Sequence, residues 1–274
     1  MNITKKTFIT CLHLFLIFGF VINANAQTGT GVKSVRIGKQ VWMSENLNVF
    51  HFQNGDLIPL AKTNEEWEKA YANQRPACCI YENNSNYGSQ YKVLYNYFAV
   101  NDERGLAPQG WHIPTSEEVS QLIYFLGDES NAGKKMKHSF GWKSFQFEQD
   151  QICPNCSSWS QAKKAGETCS VCRDSRIVSK TIDGDGNGTN SSGFSALPGG
   201  FRYNDGRFGG VGEFGLWWSN NDENTGYQPF FILYNTQDKI TANSEIEEDD
   251  EEEEELQEDE FYLGFGFSVR CVKD

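Results

Sequence analysis

The chain has 274 residues, of which 38% are hydrophobic and 14% aromatic, enough for one large domain or two small ones. Its formal net charge is −13, but 13 acids and no base lie in residues 245–260, so this one run accounts for the excess. Because the rest of the chain is nearly balanced and has no basic stripe to neutralise phosphates, we exclude nucleic acid as a partner.

The first 26 residues have the three parts of a cleavable signal peptide. Lys5 and Lys6 form the basic end, an apolar run covers residues 8–22, and Ala24-Asn25-Ala26 supplies a small-x-small cleavage site. An uncleaved anchor helix is the alternative, but the run falls short of the roughly 20 residues that span a bilayer. We therefore expect residues 27–274 to be secreted, periplasmic or at the cell surface, without a membrane span.

The early part of the mature chain predicts one β-hairpin and two short helices. Residues 35–43 form two β-rich runs around Gly38, which suits the first central position of a tight turn. Capping boxes begin at Thr63 and at Thr115, and each is followed by apolar residues at helical spacing. The first helix is expected to bury Trp67.

From Gly193 onward, glycine-rich turns alternate with aromatic runs that predict strands. The predicted strands are residues 194–203, 216–219, 229–234 and 266–272. Helices early and strands late predict the α+β class.

Five motifs occur in order from about residue 33 to the C-terminus. They are Ile37-Gly38 with Gln40, Trp42-Met43 and Glu45-Asn46-Leu47-Asn48; Gly110-Trp111-His112-Ile113-Pro114-Thr115; Gly193-Phe194-Ser195-Ala196-Leu197-Pro198-Gly199-Gly200-Phe201-Arg202; Trp217-Trp218-Ser219; and Gly266-Phe267-Ser268-Val269-Arg270-Cys271-Val272-Lys273-Asp274. As a set they resemble the Fibrobacter succinogenes major paralogous domain. The resemblance implies a bacterial, extracytoplasmic domain of the C-type-lectin-like fold that formylglycine-generating enzymes share. It implies no established activity.

Residues 148–182 look like an insertion in this domain and carry two CxxC pairs. Cys153 with Cys156 and Cys169 with Cys172 could close a tetrahedral shell around a structural zinc ion, since four thiolates leave no open coordination position. The segment is too polar to be held together by burial. Export keeps two alternatives open, a pair of disulfides and thiol redox chemistry at the first CxxC.

Three further cysteines belong to the mature chain, and an odd number cannot pair completely. A disulfide from Cys78 or Cys79 to Cys271 would tie the early part of the domain to its last strand. Buried, unpaired thiols are the alternative.

Two acidic segments could attract calcium. Asp183, Asp185 and Asn187 imitate the start of a calcium loop, but Phe194 stands where the twelfth position needs glutamate, and a solvated glycine turn is the alternative. Residues 244–260 are better explained as a disordered loop inserted between strands and extended by charge repulsion.

The sequence assembles no catalytic constellation, so we expect a protein that is not an enzyme. Ser195 lacks the second glycine of a nucleophile elbow, and His112 is interpreted as a packed or capping residue. The resemblance implies a formylglycine-generating-like oxidase as an alternative, but Cys78 and Cys79 are adjacent and badly placed for it.

The segment after Phe201 suits a binding site, because its Asn, Asp and Gly residues can present aromatic faces and polar tips together. The candidate ligand-binding residues are Tyr203, Asn204, Asp205, Arg207 and Trp218. We expect a non-catalytic module that binds an extracellular glycan or protein. A structural surface or scaffold protein without a small ligand is the alternative.

Overall fold

The computed structural model describes residues 31–152, 177–220, 230–242 and 262–274. The predicted signal peptide, the four cysteines of the CxxC pairs and the acidic run lie outside these ranges. Within them the fold is mixed α+β with mostly antiparallel sheets, which confirms the predicted class. No helix in the described ranges is both long enough and apolar enough to cross a membrane.

Five α-helices and two 3₁₀ helices lie in the described ranges. They are α1 Asn64–Ala72, α2 Ser85–Tyr91, α3 Tyr97–Val100, α4 Ser116–Phe125 and α5 Glu129–Met136, with 3₁₀ helices at Tyr81–Asn83 and Tyr262–Gly264. The strands are β1 Ser34–Ile37, β2 Gln40–Met43, β3 Cys78–Cys79, β4 Leu94–Tyr95, β5 Trp111–His112, β6 Phe145–Ile152, β7 Ile177–Gly184, β8 Gly199–Arg202, β9 Phe208–Val211, β10 Phe214–Trp218, β11 Phe230–Tyr234, β12 Ile240–Ala242, β13 Ser268–Val269 and β14 Val272–Lys273.

Both predicted capping boxes are confirmed. In α1 the Thr63 side chain accepts from Glu66 N–H at 3.1 Å, and the Glu66 carboxylate accepts from Thr63 N–H at 3.1 Å. In α4 the same two bonds join Thr115 and Glu118, at 3.2 and 2.9 Å. Each box satisfies N–H groups that a helix start leaves without partners, and α1 buries Trp67 as predicted.

A four-stranded sheet brings the two ends of the domain together. The predicted hairpin is present as β1 and β2, and Gly38 has the positive φ of 61° that its turn requires. The last strand, β14, lies between β2 and β5, where Val272 pairs with both Trp42 and His112. The beginning and the end of the domain therefore fold as one unit.

A larger sheet, ordered β12-β11-β10-β8-β9 with β13 beside β10, forms the centre of the fold. Successive residues of β10 point to opposite faces, so Trp217 packs with the helices α4 and α5 while Trp218 packs with Phe267 on the other face. Both indoles are 0% exposed. The aromatic strands thus serve a sheet that is covered on both sides.

Three helices were not predicted, namely α2, α3 and α5. Each begins at a side-chain N-cap, provided by Asn84, Asn96 and Asp128. Their short sequences lack the repeated apolar spacing that marked α1 and α4. The predicted strand 194–203 is shorter than expected because Ser195 has a left-handed φ of 58°, and β8 begins only at Gly199.

Candidate ligand-binding surface

The β8–β9 turn, residues 203–207, carries four of the five predicted ligand-binding residues. Tyr203 N–H donates to Arg207 O at 2.8 Å, which closes the turn, and Asn204 lies within it. Arg207 Nε donates to Asp205 at 2.7 Å, and the guanidinium lies 5.4 Å from the centre of the Tyr203 ring. The charged side chains of this turn therefore neutralise each other.

A buried arginine supports the β8–β9 turn from the core side. Arg202 is 0% exposed, and its guanidinium donates to the carbonyl oxygens of Gly206, Ala61 and Thr63 at 2.8, 2.9 and 2.8 Å. It also lies 4.7 Å from the centre of the Trp67 ring. The Arg202 side chain thus ties β8 and the β8–β9 turn to the segment that leads into α1.

The fifth predicted residue, Trp218, is corrected from a ligand contact to a core residue. Its indole N–H donates to Tyr95 O at 2.7 Å, and its ring lies 4.4 Å from that of Phe267. With 0% exposure it presents no face to a ligand.

A second candidate site, the α1–α3 cleft, lies between the segment after α1, the helix α3 and the 3₁₀ helix Tyr262–Gly264. Its volume is about 330 Å³, near the lower end of the range for small-molecule sites. Its lining includes Tyr97, Phe98 and Leu263 together with the polar side chains of Gln74, Arg75 and Asn101. Aromatic and polar groups therefore meet in one concave site.

The lip of the α1–α3 cleft is the C-terminal cap of α1. Gln74 N–H donates to Tyr71 O at 2.9 Å and Arg75 N–H to Ala70 O at 2.8 Å, the paired bonds of a Schellman motif. Gln74 has the left-handed φ of 51° at the position where glycine is usual. This strained cap directs the chain, and with it Arg75, out of the helix.

Asn96 holds the lip against α3. Its side chain is 1% exposed, donates to Arg75 O at 2.8 Å and accepts from Ala77 N–H at 2.9 Å and from Ala99 N–H at 3.0 Å. One buried amide therefore caps α3 and fixes the backbone that carries Arg75.

The two arginines that line the α1–α3 cleft differ in their partners. Arg104 donates to both carboxylate oxygens of Asp102, at 2.7 and 2.8 Å, and reaches Asp56 at 3.2 Å. These hydrogen bonds hold the pKa of Asp102 below its usual range. Within the described residues, the Arg75 guanidinium has no hydrogen bond or ion pair, and Arg75 is exposed.

The sequence contained only a weak signal for this site. Pro76 shortly after a helix is a common stop signal, and Tyr97-Phe98 is an aromatic pair, but neither predicts a cleft. The walls come from three segments near residues 75, 100 and 263, which only the folded chain brings together.

Cys78, Cys79 and Cys271 are free, buried thiols, so the structure has the alternative to the predicted disulfide. Burial raises the pKa of both Cys78 and Cys79 to about 12 and also raises that of Cys271. All three are therefore protonated at neutral pH and act as small apolar residues.

The candidate calcium residues bind protein N–H groups. Gln146 donates to Asp183 at 2.8 Å, Asn187 N–H to Asp185 at 3.0 Å, and Trp142 N–H to Asn187 Oδ1 at 3.1 Å. Gly186 is buried where a Cβ atom would lie 2.2 Å from a backbone oxygen, whereas Asp183 and Asp185, which precede it, are exposed. Among the described residues, no group of three or more His, Cys, Asp and Glu side chains could hold a metal ion.

The segment with the CxxC pairs, residues 153–176, joins β6 and β7. These strands pair antiparallel over eight residues each, and Ile152 stands opposite Ile177. The two residues that flank the cysteine segment are therefore neighbours in one ladder. Cys153, Cys156, Cys169 and Cys172 themselves lie outside the described residues.

The two residues weighed for catalysis, Ser195 and His112, are both hydrogen-bonded to other protein groups. Ser195 Oγ accepts from Asn190 Nδ2 at 3.0 Å and donates to Gly193 O at 3.3 Å. His112 lies between Asp274 at 2.8 Å and Glu118 at 2.9 Å, and Glu118 also caps α4. His112 thus joins the last residues to a helix start, in agreement with its interpretation as a packed residue.

Comparison with protein-family models matches residues 35–273 to the Fibrobacter succinogenes major domain. The match covers most of the chain and all five motifs that suggested this family, except Asp274, the last residue of the fifth motif. No curated protein and no solved structure matches the chain. The C-type-lectin-like similarity therefore stays a prediction.

Proposed function

We propose that this chain, which belongs to the Fibrobacter succinogenes major domain family, is a non-catalytic binding module that recognises a glycan outside the cytoplasm. The observation that carries the proposal is the α1–α3 cleft, which aromatic and polar side chains line together. The location outside the cytoplasm rests on the predicted signal peptide.

The chemistry of the α1–α3 cleft suits a sugar ring. Aromatic rings such as Tyr97 and Phe98 can pack against the C–H face of a sugar, while amides such as Gln74 and Asn101 can bond its hydroxyl groups. Neither amide side chain has a hydrogen-bond partner among the described residues, so both are available to a ligand. The Tyr97 ring is itself held in place by Trp218, 5.5 Å away between ring centres.

A binding role also agrees with the state of the cysteines. The oxidase alternative needs a reactive thiolate, but burial raises the pKa of Cys78 and Cys79 to about 12. Cys79 is also 0% exposed. Neither thiol is a ready nucleophile at neutral pH.

The proposal is tested on a glycan array, followed by calorimetry on the glycans that bind. Asn101→Ala removes an exposed amide from the cleft and should weaken binding about 2- to 10-fold, the usual contribution of one hydrogen bond. Asn86→Ala, an exposed amide on α2, is the matched control and should bind like the wild type.

Two results would contradict this proposal. If no glycan binds and the protein self-associates, the structural scaffold alternative is favoured. If glycans bind but only changes in the β8–β9 turn reduce binding, the α1–α3 cleft is not the site.

We also propose that the four cysteines outside the described residues bind one structural zinc ion. The pairing of Ile152 with Ile177 supports this, because the residues that flank the cysteine segment lie side by side. Protein purified from its native compartment should contain about one zinc per chain and release four thiols to a chelator. Two disulfides and no metal would contradict the zinc proposal without affecting the glycan proposal.

A further inference from the structure

We infer that the α1–α3 cleft takes an acidic glycan, whose carboxylate is bound by the guanidinium of Arg75. The inference rests on the proposed glycan-binding function and adds the charge of the ligand to it. Three features carry it: an unpaired cation, a lip that fixes its backbone, and the neutralisation of the other charges in the cleft.

Arg75 is the cation in question. Its guanidinium has no hydrogen bond or ion pair in the part of the chain that the structure describes. Its backbone, by contrast, is bonded on both sides, through N–H to Ala70 O at 2.8 Å and through its carbonyl oxygen to Asn96 at 2.8 Å. The base of the side chain is therefore fixed while its charged end stays free for a ligand.

The other charged groups that line the α1–α3 cleft are already paired. Arg104 binds Asp102 through two nitrogens and also reaches Asp56, and its guanidinium lies 4.1 Å from the centre of the Phe52 ring. Asp102 therefore does not offer a free negative charge to a ligand. Among the described lining residues, the unpaired charge is the positive charge of Arg75.

A carboxylate is the group that best matches this cation in a sugar site. A guanidinium presents parallel N–H groups that a carboxylate accepts in pairs, and such charge-assisted bonds are stronger than neutral ones. The same cleft offers the rings of Tyr97 and Phe98 and the amide of Asn101 to the rest of the sugar. A uronic or sialic acid residue carries both a carboxylate for Arg75 and a sugar ring for the aromatic side chains. The acidic side chains of a peptide carry the carboxylate but no such ring.

The net charge of −13 opposes an anionic ligand only at long range. At physiological ionic strength charges are screened beyond about 8 Å. The contact with Arg75 is therefore decided by the groups that line the cleft.

The test compares the binding of acidic glycans with that of their uncharged methyl esters. Oligogalacturonate, oligomannuronate and sialyllactose are placed on one array, each beside its methyl ester, and the binders are measured by calorimetry at low and at physiological salt. We expect at least one acid to bind about 10- to 100-fold more tightly than its ester, the range for a hydrogen bond to a charged group. The affinity for the acid should fall as the salt concentration rises, and the affinity for the ester should not.

Arg75→Gln should remove the preference for the acid and leave the binding of the ester unchanged. Arg36→Gln, which removes an exposed arginine from β1, is the matched control and should keep the preference. Thermal unfolding of both variants shows whether the fold is preserved.

The outcomes separate this inference from the proposed function. Equal binding of acids and esters overturns the role of Arg75 but leaves the glycan site standing. Binding of oligoglutamate through Arg75, with no glycan bound, overturns both and favours an acidic protein partner. If none of these probes binds but other glycans on the array do, the inference fails and the proposed function stands; if no glycan binds at all, both fail.

Discussion

The β8–β9 turn and the α1–α3 cleft both border on the 3₁₀ helix Tyr262–Gly264, yet they use their charged side chains differently. In the turn, Arg207 is paired with Asp205 and rests on the Tyr203 ring. In the cleft, the Arg75 guanidinium has no hydrogen bond or ion pair among the described residues. A cluster of aromatic and polar residues in the sequence therefore does not by itself indicate a binding site, because such residues can satisfy each other.

The two regions also differ in what supports them. The turn rests on Arg202, a buried cation that three carbonyl groups hold in place. The cleft rests on Asn96, a buried amide, and on a strained helix cap at Gln74. The comparison predicts which changes alter stability and which alter binding.

The largest effect is expected from Arg202→Met. This change takes the Arg202 donor from the buried carbonyl groups of Gly206 and Ala61, while Thr63 O keeps its bond from Trp67 N–H, and it should lower the free energy of unfolding by about 3 kcal/mol. Arg207 in the same turn is exposed, and Arg207→Met should change the free energy of unfolding by less than about 0.5 kcal/mol. Chemical denaturation of both variants measures the difference, and similar losses would mean that the turn is not supported as described.

Asn96→Ala should act mainly on the cleft. It removes the hydrogen-bond partner of Arg75 O, Ala77 N–H and Ala99 N–H. The free energy of unfolding, measured by chemical denaturation, should fall by about 2–3 kcal/mol. Asn96→Asp keeps both accepted bonds, but its ionised carboxylate cannot donate to Arg75 O and adds a buried charge, so it should cost at least as much stability and weaken glycan binding in calorimetry. Unchanged binding in this variant would show that the amide does not position Arg75.

Gln74→Gly should raise stability and lower affinity. Glycine adopts the left-handed φ without strain, so the free energy of unfolding should rise by about 1 kcal/mol, while the lost amide weakens glycan binding. Gln74→Ala is the control, because it removes the same amide but keeps the strained conformation. A rise in stability in both variants, measured by denaturation, would contradict this explanation.

The smallest expected effect is a change of stability with pH that leaves glycan binding unaltered. Burial disfavours protonated His112, but hydrogen bonds with Asp274 and Glu118 outweigh burial and raise its pKa above the usual 6.5. Protonated His112 therefore stabilises the fold at low pH, and this contribution is lost as the pH rises through the raised pKa.

We expect the unfolding temperature to fall modestly between about pH 6 and pH 8, with glycan affinity unchanged because arginine keeps its charge. His112→Asn should flatten the stability profile. The same slope in this variant would assign the pH dependence to another group.

The local elements were largely predictable from the sequence. Thr63 with Glu66 and Thr115 with Glu118 form capping boxes that need only their own segments, and the turn at Gly38 needs only one residue with positive φ. The α+β class and the family followed from patterns of the same kind.

Tertiary structure decided which residues are available to a ligand. Tyr203 and Trp218 were both candidate ligand-binding residues, but the sheet is covered on both faces, so Trp217 and Trp218 are both buried. Arg75 carried no signal, because a free guanidinium in a cleft depends on segments near residues 75, 100 and 263 meeting in space. Caps and turns are set by neighbouring residues, whereas burial and charge pairing are set by contacts between distant parts of the chain.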